Sequence, residues 1–280
     1  MTDLVQLQAD IEQLAATPEG AALAPSAVDA IESLLYALEG GTVRSASKGD
    51  DNVWRANPWV KRGILLGFRL GRLKAYDGEL SFVDKDTYPI RRFKVEHNVR
   101  VVPGGSSIRR GAYVASGVVC MPPMYVNVGA YVDTGTMVDS HALIGSCAQI
   151  GKRVHVSAAA QIGGVLEPVN AAPVVIEDDV LVGGNCGVYE GTIVRSRAVL
   201  AAGVVLTRGT PVFDLARETV YRGNAEQPLE IPEAAVVVPG ARAVTSGWGA
   251  DHHLSLQAPV IVKYRDEKTD LATTLEAWLR

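Results

Sequence analysis

The chain has 280 residues, of which 48% are hydrophobic and only 6% are aromatic. Its formal net charge of −4 gives no overall basic field that would attract nucleic acid. No apolar run approaches the roughly 20 residues of a membrane-spanning helix, so neither nucleic acid nor a membrane is an expected partner. The three cysteines form no CxxC pair, which favours buried thiols and a cytoplasmic protein over a disulfide framework.

Residues 1–100 are predicted to form a mainly helical N-terminal domain. Near the start of the chain, apolar residues recur every three or four positions, which is typical of a helix with one buried face. These residues are Leu4, Leu7, Ile11 and Leu14.

Two further helices are predicted from their start signals. One begins after Ser26, with Asp29 three residues later in a capping-box arrangement. The other begins with Asn57 as N-cap and Pro58 at the first helical position. Its basic residues, Lys61 among them, are expected to form a solvated face.

A six-residue repeat dominates residues 101–211. Sixteen positions follow it, and all but one are Ile, Val or Leu. A period of six fits neither a helix nor an alternating strand, and it is typical of a hexapeptide β-helix whose coils contain three short strands each. The positions are Ile108, Val114, Cys120, Val126, Val132, Val138, Ile144, Ile150, Val156 and Ile162, then Ile176, Val182, Val188, Val194, Leu200 and Leu206.

The repeat is interrupted once and then ends. Ile162 and Ile176 are fourteen residues apart, which is one hexad plus eight, and residues 163–175 are predicted to form a loop leaving a corner of the solenoid. Residues 212–280 are predicted to form a C-terminal cap with strands at 236–240 and 258–264 and a closing helix at 267–280. An end cap is expected of a solenoid.

The segment that begins RVVPGGSSIRRGAYV at Arg100 carries a more specific signal. It continues through MPPMYVNVGAYVDTGTMVDSHALIGSCAQIGKRVHVS to QIGGVLEP. These strings resemble the tetrahydrodipicolinate N-succinyltransferases, a family of hexapeptide-repeat acyltransferases of lysine and diaminopimelate biosynthesis. The resemblance covers most of residues 55–265. It implies a left-handed parallel β-helix, a homotrimer with active sites between subunits, and succinyl-CoA as co-substrate with no permanently bound cofactor and no metal.

The same resemblance implies roles for individual residues. Arg100 matches a substrate-binding arginine, and Asp139 matches an aspartate that contacts the substrate amine and is a catalytic candidate. The chain departs from the family at Gly187, where an acidic residue is often found. Either Glu190 takes that catalytic role or the role is dispensable.

The six-residue repeat gives a geometric test of this pair. With the eight-residue insertion subtracted, the strands preceding Asp139 and Glu190 are seven hexads apart, and seven is not a multiple of three. The two residues are therefore predicted to lie on different walls of one prism. They could share a site only across a subunit boundary.

The coenzyme A site is less clearly marked in the sequence. Small residues at corners allow close approach of a thin pantetheine arm, and a lysine could bind a phosphate. The candidate residues are Gly183, Ala202, Gly203 and Lys263.

Three alternative functions remain open at this point. A γ-type carbonic anhydrase shares the prism but needs three histidine ligands, whereas the solenoid has only His141 and His155. Another CoA-dependent hexapeptide N-acyltransferase could use an acetyl donor or a catalytic His141. A non-catalytic scaffold would bind no succinyl-CoA.

Overall fold

The structure is a computed structural model that describes residues 3–76 and 82–266. Helices occupy the start of the chain, parallel strands follow, and antiparallel strands close the described part. The closing helix predicted at 267–280 lies outside the described residues. No helix in the described ranges is long and apolar enough to cross a membrane.

From residue 100 onward, short parallel strands stack into three walls, and successive strands visit wall 1, wall 2 and wall 3 in turn. The parallel strands of wall 1 are Arg100–Val101, Val119–Cys120, Met137–Val138, His155–Val156, Leu181–Val182, Val199–Leu200 and Ala235–Val238. Those of wall 2 are Ser107–Ile108, Tyr125–Val126, Leu143–Ile144, Gln161–Ile162, Gly187–Val188 and Val205–Leu206. Those of wall 3 are Tyr113–Val114, Tyr131–Val132, Gln149–Ile150, Val175–Ile176, Ile193–Val194 and Glu230–Ile231.

The interior confirms the predicted fold class. Every one of the sixteen hexad residues is buried, with at most 4% of its surface exposed. Each is the second residue of a two-residue strand, and the first residue points outward. Three parallel sheets of short strands are typical of a left-handed β-helix.

The loop predicted at 163–175 spans residues 163–174 in the structure, and it leaves and rejoins the solenoid at one corner. Gln161–Ile162 belongs to wall 2 and Val175–Ile176 to wall 3, so the order of walls continues across the insertion. Subtracting eight residues therefore gives the correct register.

The predicted boundary at residue 211 falls short of the last parallel strands. Glu230–Ile231 pairs with wall 3 and Ala235–Val238 with wall 1, and Ile231 and Val237 are fully buried. These two residues are again six apart. The strand at 236–240 was predicted as part of the cap, but its place in the repeat and that of Ile231 were not, because residues 207–229 interrupt the repeat for longer than the first loop does.

The cap closes wall 1 with antiparallel pairing. Val260–Tyr264, predicted from the sequence, runs antiparallel to Ala235–Val238, and Val212–Asp214 lies on its other side. Thr219–Tyr221 pairs with Val212–Asp214. A separate hairpin of Ala241–Ala243 and Ser255–Gln257 carries the short helix α4, Gly247–Asp251.

The N-terminal region contains the three predicted helices. They are α1 Leu4–Ala15, α2 Ala27–Glu39 and α3 Pro58–Leu70. Two hairpins and a 3₁₀ turn were not predicted, namely Ala46–Lys48 with Trp54–Ala56, Leu73–Tyr76 with Phe82–Lys85, and Val95–His97.

Two details of the predicted helix starts are wrong. Neither Ser26 nor Asn57 makes a side-chain capping bond. The Asn57 amide NH2 instead donates to the carbonyl of Arg44 at 2.7 Å and to Ser47 Oγ at 2.9 Å, so the side chain joins two segments of the N-terminal region.

The expected solvated face of α3 is also wrong, most clearly at Lys61. This side chain is fully buried, and its Nζ donates to the carbonyl oxygen of Ala171 at 2.5 Å. Burial lowers the pKa of Lys61, because a charged ammonium is poorly solvated there. Lys61 therefore ties the N-terminal domain to the loop at 163–175.

Wall 3 lies beneath the N-terminal region. The Arg44 guanidinium stacks 3.7 Å from the ring centre of Tyr131 and donates to Gln149 Oε1 at 2.9 Å. Gln149, Val175 and Ile193 point outward from wall 3, yet at most 1% of each is exposed. The chain itself therefore covers much of the outer face of this wall.

The first hairpin is fastened to wall 3 through Glu177. This carboxylate is 8% exposed and accepts from donors on four residues. Burial alone would raise the pKa of Glu177, but these partners outweigh it and hold the pKa at about 2. The donors are Lys48 Nζ at 2.9 Å, Trp54 Nε1 at 2.9 Å, Arg195 Nη1 at 3.0 Å, and Ser196 through its N–H at 3.1 Å and its hydroxyl at 3.2 Å.

Candidate functional site

Wall 1 presents an outward column of side chains that includes a sequence-predicted residue. Adjacent strands place Arg100 beside Val119, Val119 beside Met137, and Met137 beside His155. Parallel strands are about 4.8 Å apart, so Arg100 and Met137 are separated by about 10 Å along the wall. Arg100 is exposed at the start of this column.

Asp139 follows the Met137–Val138 strand at the edge of wall 1. About 30% of its side chain is exposed. Its Oδ1 accepts a hydrogen bond from the backbone N–H of Ser140 at 2.7 Å, which fixes the orientation of the carboxylate. The other oxygen, Oδ2, lies 3.7 Å from His155 Nε2.

His155 is a candidate site residue because it lies beside Asp139, and the sequence did not suggest it. It was considered only as a zinc ligand, alongside His141. The six-residue repeat contains the signal, because His155 starts the strand one coil after the Met137–Val138 strand. An outward residue one coil later on the same wall is a direct neighbour.

Glu190 lies elsewhere, as the register predicts. It follows the wall 2 strand Gly187–Val188, whereas Asp139 follows a wall 1 strand. Its backbone is left-handed, with φ of 55°, and its Oε2 accepts a hydrogen bond from the backbone N–H of Arg208 at 3.1 Å. Within one chain the structure does not bring Asp139 and Glu190 together, and Glu190 stabilises its own corner.

The coenzyme candidates lie on wall 1 or just after it. Gly183 follows Leu181–Val182, and a Cβ there would lie 2.6 Å from the backbone N of Ala202. Close stacking of coils therefore requires glycine at 183 for a structural reason. Ala202 and Gly203 form the exposed corner of the next coil, and Lys263, on the closing strand, contacts Asp266 at 3.2 Å.

The groups on wall 1 suit an anionic acceptor with a reactive amine. Arg100 offers a guanidinium for a carboxylate, and Asp139 offers a carboxylate for an ammonium. In residues 3–76 and 82–266, no three His, Cys, Asp or Glu residues are grouped as a metal site would need.

Two family profiles match parts of the chain. Residues 6–70 match the N-terminal domain of tetrahydrodipicolinate N-succinyltransferase. Residues 173–208 match the hexapeptide repeat of succinyl-transferase.

Similar proteins cover almost the whole chain. A 2,3,4,5-tetrahydropyridine-2,6-dicarboxylate N-succinyltransferase of Bradyrhizobium diazoefficiens is 43% identical over 90% of this chain and 89% of its own length. The enzyme of the same name from Aromatoleum aromaticum is 45% identical over 92% of this chain and 91% of its own.

A crystal structure from Campylobacter jejuni has the same fold. It is provisionally named a 2,3,4,5-tetrahydropyridine-2-carboxylate N-succinyltransferase, and it superposes with a TM-score of 0.57 at 19% identity. The match covers 88% of this chain and 64% of the Campylobacter chain.

Proposed function

Since the chain belongs to the tetrahydrodipicolinate N-succinyltransferase family, we propose that it transfers a succinyl group from succinyl-CoA to tetrahydrodipicolinate in lysine and diaminopimelate biosynthesis. The proposal depends on two observations taken together. The chain is 43% identical to an N-succinyltransferase over nine-tenths of its length, and it places Arg100, Asp139 and His155 on one wall of the solenoid.

The acceptor reacts as an open-chain amine. Water adds to the cyclic imine, and the ring opens to an amino-keto dicarboxylate. The amine nitrogen then attacks the thioester carbon, the N–C bond forms and the C–S bond breaks. The sulfur leaves with the electron pair of that bond and is protonated to the CoA thiol.

Asp139 is the group proposed to orient the amine and take its proton. One carboxylate oxygen is held by Ser140 N, so the other is directed toward His155 and the space outside wall 1. A positioned general base contributes roughly 10²–10⁴ in rate. Arg100, about two strands away along the column, would bind a carboxylate of the acceptor.

The assembly is proposed to be a homotrimer with its active sites between subunits. Wall 3 is buried under the N-terminal region of its own chain, which leaves walls 1 and 2 as the broad faces for neighbouring copies. A contact between wall 1 of one copy and wall 2 of the next would bring Asp139 opposite residues near Glu190. Glu190 remains a candidate in that role, although its carboxylate already accepts from Arg208 N.

Succinyl-CoA would lie along the later coils of this groove. Gly183 follows a wall 1 strand two coils after the strand that precedes Asp139, and Ala202 and Gly203 follow one coil later. Lys263 would bind a phosphate of the coenzyme after releasing its ion pair with Asp266. No resident cofactor is proposed.

The test is release of CoA thiol by the purified protein with succinyl-CoA and tetrahydrodipicolinate, with acetyl-CoA as the parallel donor. We expect turnover that needs both substrates and prefers the succinyl donor. Lack of thiol release from either donor would sink the proposed reaction, and preference for acetyl-CoA would favour the alternative N-acyltransferase. Light scattering tests the assembly, with an expected mass of three chains.

A further inference from the structure

On the outer surface of wall 2, the aromatic ring of Tyr189 lies against two glycines, Gly187 and Gly163. Tyr189 directly follows the Gly187–Val188 strand, and its ring folds back over that strand. A Cβ added at Gly187 would lie 2.5 Å from Cε2 and 2.9 Å from the hydroxyl of Tyr189. A Cβ at Gly163, one coil earlier, would lie 2.8 Å from Cδ1 of the same ring.

Two glycines in adjacent coils are therefore needed to let this ring lie flat. Real Cβ atoms do not approach other heavy atoms this closely, so alanine at either position would displace the ring. The arrangement fixes the phenol over the middle of wall 2, where the side chain of residue 187 would otherwise point. At this place the wall presents a hydroxyl group on a rigid support.

The hydroxyl itself has no hydrogen-bond partner among the described residues. A tyrosine that is partly buried usually directs its O–H at a partner, since an unmade hydrogen bond is costly. The side chain is half-buried in the isolated chain, and wall 2 is one of the two faces left for a neighbouring copy. A ligand held against this wall can therefore reach the hydroxyl.

We propose that the Tyr189 hydroxyl donates a hydrogen bond to a carboxylate oxygen of the reacting substrates, across the groove from Asp139 of the neighbouring copy. This inference rests on the proposed function. Both the acceptor and the succinyl donor carry such a carboxylate, whereas an acetyl donor does not. A phenol at this place offers a donor, where an acidic side chain at residue 187 would offer an acceptor.

The experiment compares Tyr189→Phe with the wild-type enzyme. Removing one hydrogen bond to a carboxylate should raise a KM by roughly tenfold or more, with a smaller change in kcat. A rise for tetrahydrodipicolinate would identify the acceptor as the ligand. A rise for succinyl-CoA, with the KM for acetyl-CoA unchanged, would identify the donor.

Tyr113→Phe is the matched control, because Tyr113 is also half-buried on a solenoid strand but lies on the covered wall 3. It should leave both KM values unchanged. The melting temperature of Tyr189→Phe should equal that of the wild type, since the hydroxyl bonds nothing within the described chain.

A double-mutant cycle tests separately whether Gly187 is needed to position the Tyr189 ring. Gly187→Ala should raise the same KM by displacing the ring, and it should add nothing in a Tyr189→Val background. KM values within twofold of the wild type for Tyr189→Phe would overturn the inference, as would a loss of kcat alone. An inactive wild-type enzyme would instead overturn the proposed function.

Discussion

Walls 1 and 3 follow the same six-residue repeat, but their outer faces differ in how far the chain covers them. Their inward residues are equally buried, so the interior does not distinguish them. Their outward residues differ, because wall 3 is covered by Arg44 and the first hairpin, whereas wall 1 carries the exposed Arg100 and the half-buried His155. In this solenoid, the faces that the chain does not cover itself are the ones whose outward side chains a ligand or a neighbouring copy can reach.

The strongest test of this comparison uses two aspartates in equivalent places. Asp139 follows a wall 1 strand and Asp133 a wall 3 strand, and each accepts the N–H of the next residue at 2.7 Å. We expect Asp139→Asn to lower kcat by roughly 10²–10⁴, since it removes the proposed base. Asp133→Asn should lower kcat less than threefold in the same thiol-release assay. Equal losses would mean that the wall does not decide the role.

The second test removes the contacts by which Glu177 joins the first hairpin to wall 3. Glu177→Gln removes a buried charge that faces Lys48 and Arg195, and Arg195 then keeps only its ion pair with Glu230. The depressed pKa predicts a loss of about 2–3 kcal/mol in the free energy of unfolding. Urea unfolding measures it, with the exposed Glu19→Gln as the control, for which a change below about 0.5 kcal/mol is expected.

The same carboxylate gives a pH dependence of known sign. The folded pKa of Glu177 is about 2, below the ordinary value of 4.5, so its stabilisation is complete above about pH 4.5. It is lost as the pH falls through 2. The difference in unfolding free energy between the wild type and Glu177→Gln should therefore shrink between pH 5 and pH 2. A difference that stays constant would show that charge is not what holds the hairpin.

The smallest effect is expected at Lys61. Lys61→Met keeps the length of the side chain, loses one bond to Ala171 O and removes the cost of burying a charge. We expect the free energy of unfolding at pH 7 to change by less than about 1 kcal/mol. Lys61→Ala leaves a cavity and should cost about 2–5 kcal/mol. A large loss in Lys61→Met would mean that the ammonium itself fastens the loop.

The predictable part of the fold is the part set by local repetition. Each hexad residue must fill the same triangular cross-section, so Ile108 through Leu206 could be assigned from spacing alone. The eight-residue excess between Ile162 and Ile176 was enough to place Asp139 and Glu190 on different walls.

The unpredicted features depend on partners far away in the chain. Lys61 looked solvated because helical lysines usually are, and its covering residue, Ala171, is 110 positions later. The first hairpin depends on Glu177, which is 123 positions after Trp54. The position of the Tyr189 ring requires the coil stacking that brings Gly163 beside it. The contacts of Lys61 and Glu177 leave no periodic trace, and the repeat that puts Gly163 one coil before Tyr189 does not give the conformation of the ring.

Both long interruptions of the solenoid occur at the same edge of the prism. Residues 163–174 and residues 207–229 each connect a wall 2 strand to a wall 3 strand. The edge between walls 1 and 2 carries Asp139, Gly183 and Ala202. At this edge, every step from a wall 1 strand to the following wall 2 strand is six residues, from the coil of Cys120 to the coil of Leu200. Segments of new length and sequence can therefore be grafted at the irregular edge, by evolution or by an engineer, while the spacing of groups along the proposed groove is preserved.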